Sequence, residues 1–190
     1  MRKNIIIAGV GGQGILTIAS IIDLAAMQQG LFVKQAEVHG MSQRGGAVES
    51  HLRISDKEIF SDLVPKGEAD IILSIEPMES LRYLPFLAPK GIIVTATEAF
   101  VNIPNYPDEA AIKNEIAKTG NHLLVDAEAL ARQAGNLKTF NTVMLGAASR
   151  YLGIEISALK EAIKTYFSAK GEDTVKVNLE AFQLGVACSV

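Results

Sequence analysis

The chain has 190 residues, 48% of them hydrophobic, so it can bury one substantial core, and residues 1–190 are expected to form a single domain. A net charge of −3 with scattered lysines and arginines makes nucleic acid and anionic membranes unexpected partners. The single cysteine, Cys188, excludes an internal disulfide, and this chain alone cannot ligate a cysteine-rich zinc site or an iron–sulfur cluster.

The first elements predict a strand, a turn and a helix in immediate succession. An apolar strand over residues 3–9 leads into the glycine-rich run 9–14, and an amphipathic helix follows over residues 12–29. A second strand is predicted over residues 31–38, which completes a βαβ unit whose strand ends share one edge of the sheet. The N-terminus lacks a signal peptide and no apolar run reaches membrane-spanning length, so we expect a cytoplasmic protein.

The remaining pattern alternates strands and helices and then becomes almost entirely helical. An antiparallel hairpin is expected from residues 46–55 and 58–60. Strands are predicted over 70–75, 91–95 and 122–125, helices over 77–87, 108–119 and 127–134, and a turn at Pro89-Lys90-Gly91. The candidate helix N-caps are Asp126, Asn141, Ser157 and Asn178. The predicted fold is a three-layer α/β/α single domain: a mostly parallel sheet with an antiparallel hairpin, a Rossmann-like start and a helical C-terminal third.

The glycine run is the first candidate binding site. It reads Gly-x-Gly-x-x-Gly, a turn that brings backbone N–H groups close to an anion at a helix N-terminus. A dinucleotide site would also need an acidic residue after the second strand, for which Glu37 is the candidate. The alternative is that the glycines only permit a tight turn and close packing. The candidate binding residues here are Gly9, Gly11, Gly12, Gln13 and Gly14.

A second polar, glycine-rich segment follows the second predicted strand and should lie beside the first. One arginine among a serine, a glutamine and two glycines offers a guanidinium and backbone donors to a phosphate or carboxylate. The alternative is a solvated loop charge at the start of a hairpin. The candidate residues are Ser42, Gln43, Arg44, Gly45 and Gly46, with His39 as a polar neighbour or proton carrier.

Motifs for catalysis are missing from the sequence. No serine or cysteine lies in a nucleophile-elbow motif, no lysine completes a P-loop, and the three histidines lack metal-ligand spacing. His51 is expected on a sheet face and His122 at a strand start. The sequence therefore predicts a binding rim without catalytic or metal-binding residues.

The two motifs together, Gly-Val-Gly-Gly-Gln-Gly-Ile-Leu-Thr and Ser-Gln-Arg-Gly-Gly, resemble the gamma subunit or domain family of 2-oxoacid:ferredoxin oxidoreductases. Within that family, the chain is most similar to the small (beta) subunits of indolepyruvate:ferredoxin oxidoreductases. The resemblance spans essentially the whole sequence. It implies an accessory subunit of a heteromeric oxidoreductase of anaerobic metabolism, inactive when isolated.

The resemblance also implies the partners and cofactors. The holoenzyme would convert an aryl-pyruvate and coenzyme A into an aryl-acetyl-CoA and carbon dioxide while reducing ferredoxin. Thiamine diphosphate, Mg and [4Fe–4S] clusters would sit on a large (alpha) partner subunit, and this chain would bind no cofactor tightly. Coenzyme A is the expected ligand of a cleft shared between the subunits.

Two alternatives stay open at this point. One is a free-standing NAD(P)-dependent oxidoreductase that uses Gly9 to Gly14 and Glu37. The other is a non-enzymatic phosphate- or adenylate-binding module. The identity of the 2-oxo acid is not specified by this chain, because the partner would select the substrate.

Overall fold

A computed structural model describes residues 1–40 and 45–188. The strands within these residues form one mixed six-stranded sheet. The strands are β1 (Arg2–Val10), β2 (Phe32–His39), β3 (Ala47–Ser55), β4 (Ala69–Ser74), β5 (Leu87–Ala96) and β6 (His122–Val125). Their order across the sheet is β2-β3-β1-β4-β5-β6. Strand β3 is antiparallel to both of its neighbours, whereas β1, β4, β5 and β6 pair in parallel.

Helices cover both faces of this sheet. They are α1 (Ile15–Gln28), α2 (Pro77–Arg82), α3 (Glu109–Ala117), α4 (Ala127–Gln133), α5 (Phe140–Leu152), α6 (Ile156–Phe167) and α7 (Glu172–Cys188). Helices α1 and α4 to α7 pack in the larger hydrophobic cluster on one face, and α2 and α3 contribute to a smaller cluster on the other. The predicted three-layer α/β/α architecture and helical C-terminal third are confirmed.

The predicted pairing of the first three strands is partly wrong. Strand β3 lies between β1 and β2, so the antiparallel hairpin joins β2 to β3, and residues 58–60 form no strand. The loops after β1 and β2 nevertheless share one edge, because Val10 pairs with Ala47 and His39 pairs with Val48. The prediction that the two loops lie side by side is therefore confirmed, although the strand order differs from the predicted one.

Two of the predicted helix boundaries are confirmed by their caps. The carboxylate of Asp108 accepts the Ala111 N–H, and the carboxylate of Asp126 accepts the Ala129 N–H, each at 3.0 Å. The turn expected at Pro89-Lys90-Gly91 is wrong, because these residues belong to β5.

Three predicted N-caps are also wrong, because these residues lie within helices and not before them. Asn141 lies inside α5, Ser157 inside α6 and Asn178 inside α7. The buried Asn178 carbonyl oxygen accepts the Thr142 hydroxyl at 2.7 Å and so joins α7 to α5. From sequence alone, an asparagine inside a helix that hydrogen-bonds to a neighbouring helix cannot be distinguished from an N-cap.

Close contact between α5 and α7 fixes the helical layer against the sheet. A Cβ atom on Gly146 would lie 2.2 Å from the Phe182 carbonyl oxygen, and one on Gly185 would lie 2.0 Å from the Val143 carbonyl oxygen. Glycine is required at both positions because the two helix backbones almost touch. This rigid layer holds α1, and therefore the turn that precedes it, against the carboxyl edge of the sheet.

Candidate functional site

The glycine turn connects the end of β1 to the start of α1. Gly12 and Gly14 have φ angles of +100° and +80°, which strain any residue with a side chain. Gln13 folds back so that its Oε1 accepts the Val10 N–H at 2.8 Å, and the Gly11 N–H donates to the Gly46 carbonyl at 2.9 Å. The turn is therefore held by its own chain, and the Gly12 and Gly14 N–H groups have no acceptor among the described residues.

Gly9 contributes space rather than a donor. A Cβ atom there would lie 2.8 Å from Gln13 Oε1, 3.0 Å from Ile15 Cδ1 and 3.3 Å from Ile75 Cβ. The first glycine of the motif thus allows the bracing contact of Gln13. Close packing alone therefore explains why the motif has a glycine at position 9.

The second loop lies directly against the first. Gly46 accepts from Gly11, and the Gly40 N–H donates to the Ala47 carbonyl at 3.0 Å, so the described ends of this loop are fixed at the same sheet edge. The Asn102 side chain donates to the Gly45 carbonyl at 2.5 Å. Ser42, Gln43 and Arg44 lie outside the described residues, and their predicted binding role remains a prediction from sequence.

Two cavities flank the glycine turn, and both include Gly11 and Gly12 in their walls. The larger cavity, of about 630 Å³, lies toward the second loop and includes His39, Gly40 and Leu16. The smaller cavity, of about 350 Å³, lies on the other side and includes the acidic residues Glu98 and Glu128 with the apolar residues Ile75, Ala96, Phe100 and Phe140.

Charge distinguishes the two cavities. Burial raises the pKa of Glu98, and the adjacent Asp126 carboxylate raises it further. The backbone N–H of Ala129 and the neighbouring Glu98 carboxyl lower the pKa of Asp126, so a proton shared by this pair resides on Glu98. Because further acidic groups disfavour an anion, phosphate or carboxylate fits the larger cavity better than the smaller one.

Residues 97–107 follow β5 at the carboxyl edge of the sheet and contribute Glu98 and Phe100 to the smaller cavity; we call them the edge segment. The buried Glu76 carboxylate accepts the Tyr106 hydroxyl and, at 3.4 Å, the Phe100 N–H, while Glu79 N–H donates to its other oxygen at 2.9 Å. Burial raises the pKa of Glu76 although these three hydrogen bonds oppose the shift. The edge segment is therefore anchored to α2 at one point and, through Asn102, to the second loop at another.

Sequence reasoning missed these anchoring residues. Glu76 precedes Pro77, and an acidic residue just before a proline at a helix start is a recognisable N-cap signal. Neither Asn102 nor Glu98 carried a comparable signal, since both lie in a segment without periodicity. Their roles depend on contacts with Gly45 and Asp126, which lie far away in sequence.

Glu37, the candidate ribose ligand, lies away from the glycine turn. Its oxygens contact Gln35 Nε2 at 2.6 Å and His39 Nε2 at 3.2 Å, and β3 separates its strand from β1. In a dinucleotide-binding fold these two strands are neighbours, whereas here they stand about 10 Å apart at two strand spacings. The geometry does not favour the dinucleotide hypothesis.

The histidines occupy the positions expected from sequence. His51 lies in β3, buried, and its Nδ1 accepts the Val64 N–H at 3.1 Å, while His122 begins β6. Across residues 1–40 and 45–188 no three potential ligands come together in a metal-binding cluster. In the same part of the chain, no helix is both long and apolar enough to span a bilayer.

A glycine turn at the carboxyl edge of a doubly covered mixed sheet defines an α/β binding domain. The family model described as pyruvate ferredoxin/flavodoxin oxidoreductase matches residues 4–188. An indolepyruvate oxidoreductase subunit, IorB, of Pyrococcus horikoshii is 42% identical over 193 residues, covering 96% of this chain and 94% of that relative. The chain belongs to the pyruvate ferredoxin/flavodoxin oxidoreductase family.

Solved structures show the same fold. The 2-oxoglutarate:ferredoxin oxidoreductase of Magnetococcus marinus, solved with 2-oxoglutarate, coenzyme A and succinyl-CoA, superposes with a TM-score of 0.77 at 24% identity. That match covers 99% of this chain but 31% of that longer one. The pyruvate oxidoreductase subunit PORC of Thermotoga maritima superposes with a TM-score of 0.75 at 22% identity, covering 98% of this chain and 96% of that one.

Proposed function

We propose that this chain is the small, gamma-type subunit of an indolepyruvate:ferredoxin oxidoreductase and that residues 1–190 act as one domain of that complex. The observation that carries the proposal is the 42% identity with an indolepyruvate oxidoreductase subunit over nearly the full length of both chains. The fold is the one seen in two solved oxidoreductase structures, which agrees with a subunit of this class of complex.

The proposed reaction divides the work between subunits. Indolepyruvate and coenzyme A yield indoleacetyl-CoA and carbon dioxide, and the two electrons released reduce ferredoxin. Thiamine diphosphate, held with Mg by a large partner subunit, would supply the decarboxylation chemistry, and [4Fe–4S] clusters of that subunit would carry the electrons. This chain, with one cysteine, would complete the assembly and shape the entrance for coenzyme A.

We place the anionic part of coenzyme A against the glycine turn, in the larger cavity. The Gly12 and Gly14 N–H groups lack acceptors in the described chain, and this side of the turn is free of the Glu98 and Asp126 carboxyls. Arg44 falls in sequence between Gly40, which lines this cavity, and Gly45, and its guanidinium is proposed to meet a phosphate. Gln13 would act indirectly, because its Oε1 braces the turn through Val10.

Co-expression with a large cluster-bearing subunit tests the assembly. We expect a brown complex that oxidises indolepyruvate and reduces ferredoxin only when coenzyme A is present. The isolated chain should show no micromolar binding of NADH, and it should carry no nucleotide after purification. Failure of any such subunit to co-purify would contradict the proposal, and tight NADH binding that Glu37→Ala weakens would support a free-standing dehydrogenase instead.

Arg44→Ala tests the anion site within the complex. Removing one charge-assisted contact to a phosphate should raise the apparent KM for coenzyme A by at least about tenfold, since such contacts contribute roughly 1.5–3 kcal/mol. The KM for the 2-oxo acid should stay unchanged. Lys90→Ala is the matched control, because Lys90 is exposed near the start of β5, away from the carboxyl edge. Unchanged coenzyme A kinetics in Arg44→Ala would instead support the alternative that Arg44 is a solvated loop charge.

A further inference from the structure

Strand β2 forms a long and regular edge of the sheet that neither a bulge nor a proline interrupts. Its eight residues pair with β3 from Phe32 to His39 without any register shift, and they include no proline. The opposite edge strand, β6, has four residues. Free backbone groups on an edge of this length invite another strand, and proteins usually limit this with a bulge, a proline or charged side chains, of which β2 has only the last, in Lys34 and Glu37. The one lysine in β2, Lys34, lies 3.6 Å from Asp62 of its own chain.

The hydrogen-bond pattern shows which backbone groups of β2 are free. Gly40 donates to Ala47 next to the strand end, and antiparallel pairs alternate between bonded and non-bonded positions, so the even-numbered residues of β2 bond to β3. The odd-numbered residues therefore direct their N–H and C=O groups away from the sheet. Val33, Gln35 and Glu37 form a ladder of donors and acceptors spaced for a further antiparallel strand.

On one face of β2, the side chains at the two ends of the strand are apolar and exposed. Phe32 is 50% exposed and Val38 is 51% exposed, and both lie on the face opposite α1. The segment that follows β3 adds Phe60, 88% exposed, and Leu63, 54% exposed, on the same face of the sheet. These four residues and the free backbone ladder form one surface, which we call the β2 edge.

We propose that the β2 edge binds the β2 edge of a second copy of this chain, in antiparallel pairing about a two-fold axis, to form a continuous twelve-stranded sheet. The axis passes between Gln35 and Gln35 of the second copy. This register places Phe32 opposite Val38 of the second copy, and the symmetry repeats the contact at the other end. Lys34 then lies opposite the small side chain of Ala36, which leaves room for its ammonium group to reach solvent.

The free backbone ladder fits the same register. Gln35 pairs with its symmetry mate, and Val33 pairs with Glu37 of the second copy, so residues with outward-directed groups meet one another. Phe32 and Val38 fall at non-bonded positions, where opposite side chains approach most closely. Sliding the strands by two residues, to centre on Ala36, keeps the ladder but moves Phe32 opposite Gly40 and loses the apolar contact. Side-chain complementarity therefore selects the Gln35-centred register.

The proposal concerns the chain alone and does not depend on its enzymatic role. The test uses the full chain at about 100 µM, with Cys188→Ser as the background so that the exposed native thiol cannot cross-link. Light scattering should give about twice the chain mass of 20.3 kDa. Phe32→Lys should return the mass to that of a monomer, whereas Met27→Lys, at a residue 65% exposed on α1, should leave the dimer intact.

Single-cysteine variants test the register. Gln35→Cys should form a disulfide-linked dimer under mild oxidation, because opposite Cα atoms would stand about 5.5 Å apart. Ala36→Cys should not, because its symmetry mate would lie diagonally at roughly 7–8 Å, beyond the usual reach of a disulfide. Circular dichroism establishes that each variant is folded. A monomeric parent chain, cross-linking of Ala36→Cys in place of Gln35→Cys, or cross-linking of Gln35→Cys only to a co-expressed large subunit would overturn the proposal.

Discussion

Replacing Asp23 by asparagine should stabilise the protein above pH 7 and change its stability little at pH 4. Asp23 lies on α1, and its Oδ1 is buried with no hydrogen-bond donor in the described part of the chain. Burial, and then the nearby Glu37 carboxylate, raises the pKa of Asp23 from 3.8 to about 7. The folded protein therefore holds a proton that the unfolded chain has already released between these two pH values.

The sign and size follow from proton linkage. A carboxyl whose pKa is raised by folding contributes stability below its unfolded pKa, and this contribution is lost as pH rises through the folded value. The interval between 3.8 and about 7, at about 1.36 kcal/mol for each pH unit, corresponds to about 4 kcal/mol. Asparagine carries no charge at any of these pH values, so Asp23→Asn should avoid this loss.

Urea denaturation at pH 4, 6 and 8 measures the effect. The difference in the free energy of unfolding between Asp23→Asn and the parent chain should be near zero at pH 4 and approach about 4 kcal/mol at pH 8. Asp173→Asn, at an exposed position in the first turn of α7, is the matched control for replacing a carboxylate by an amide. An Asp23→Asn difference that stays constant from pH 4 to pH 8 would refute the reasoning.

Two further substitutions test the packing that supports the site. Gly185→Ala should lower the free energy of unfolding by about 3 kcal/mol, because its Cβ would lie 2.0 Å from the Val143 carbonyl oxygen, whereas Gln183→Ala on the exposed side of α7 should change little in the same denaturation experiment. Tyr106→Phe removes a hydroxyl donor to the buried Glu76 carboxylate and should cost about 1–3 kcal/mol, measured against Tyr151→Phe; equal stability of these two variants would show that the edge segment is not anchored through Tyr106.

Much of the fold could be predicted because local and tertiary preferences agree. The uninterrupted apolar residues of β1 indicated a buried strand, and glycines followed by an amphipathic pattern indicated the turn into α1. The place of β3 could not be predicted, since alternating polarity indicates a half-exposed strand without specifying its neighbours. Insertion of β3 between β1 and β2 depends on pairing Ile5 to Leu52 and Gln35 to Leu52, which are long-range contacts.

The backbone arrangement at the candidate site could be predicted from the sequence, whereas the binding role of its residues remains a prediction. The proximity of the two glycine-rich loops follows from strand direction, and the hydrogen bond from the Gly11 N–H to the Gly46 carbonyl confirms it. The contrast between an acidic cavity and a less charged one was not predictable, because it depends on Glu98 and Asp126 coming together beyond the ends of the adjacent strands β5 and β6. Local pattern predicts which residues form a turn, and tertiary contacts decide the charge of its surroundings.

The most direct test of the central claim is ferredoxin reduction by the reconstituted complex. The large cluster-bearing subunit is assayed with indolepyruvate and coenzyme A, with and without this chain, and with Gly12→Asp as a variant that adds charge and strain at the glycine turn. We predict rapid, coenzyme A-dependent reduction only when the parent chain is present, and a strongly raised coenzyme A requirement with Gly12→Asp. Equal activity of the large subunit with and without this chain would contradict the account.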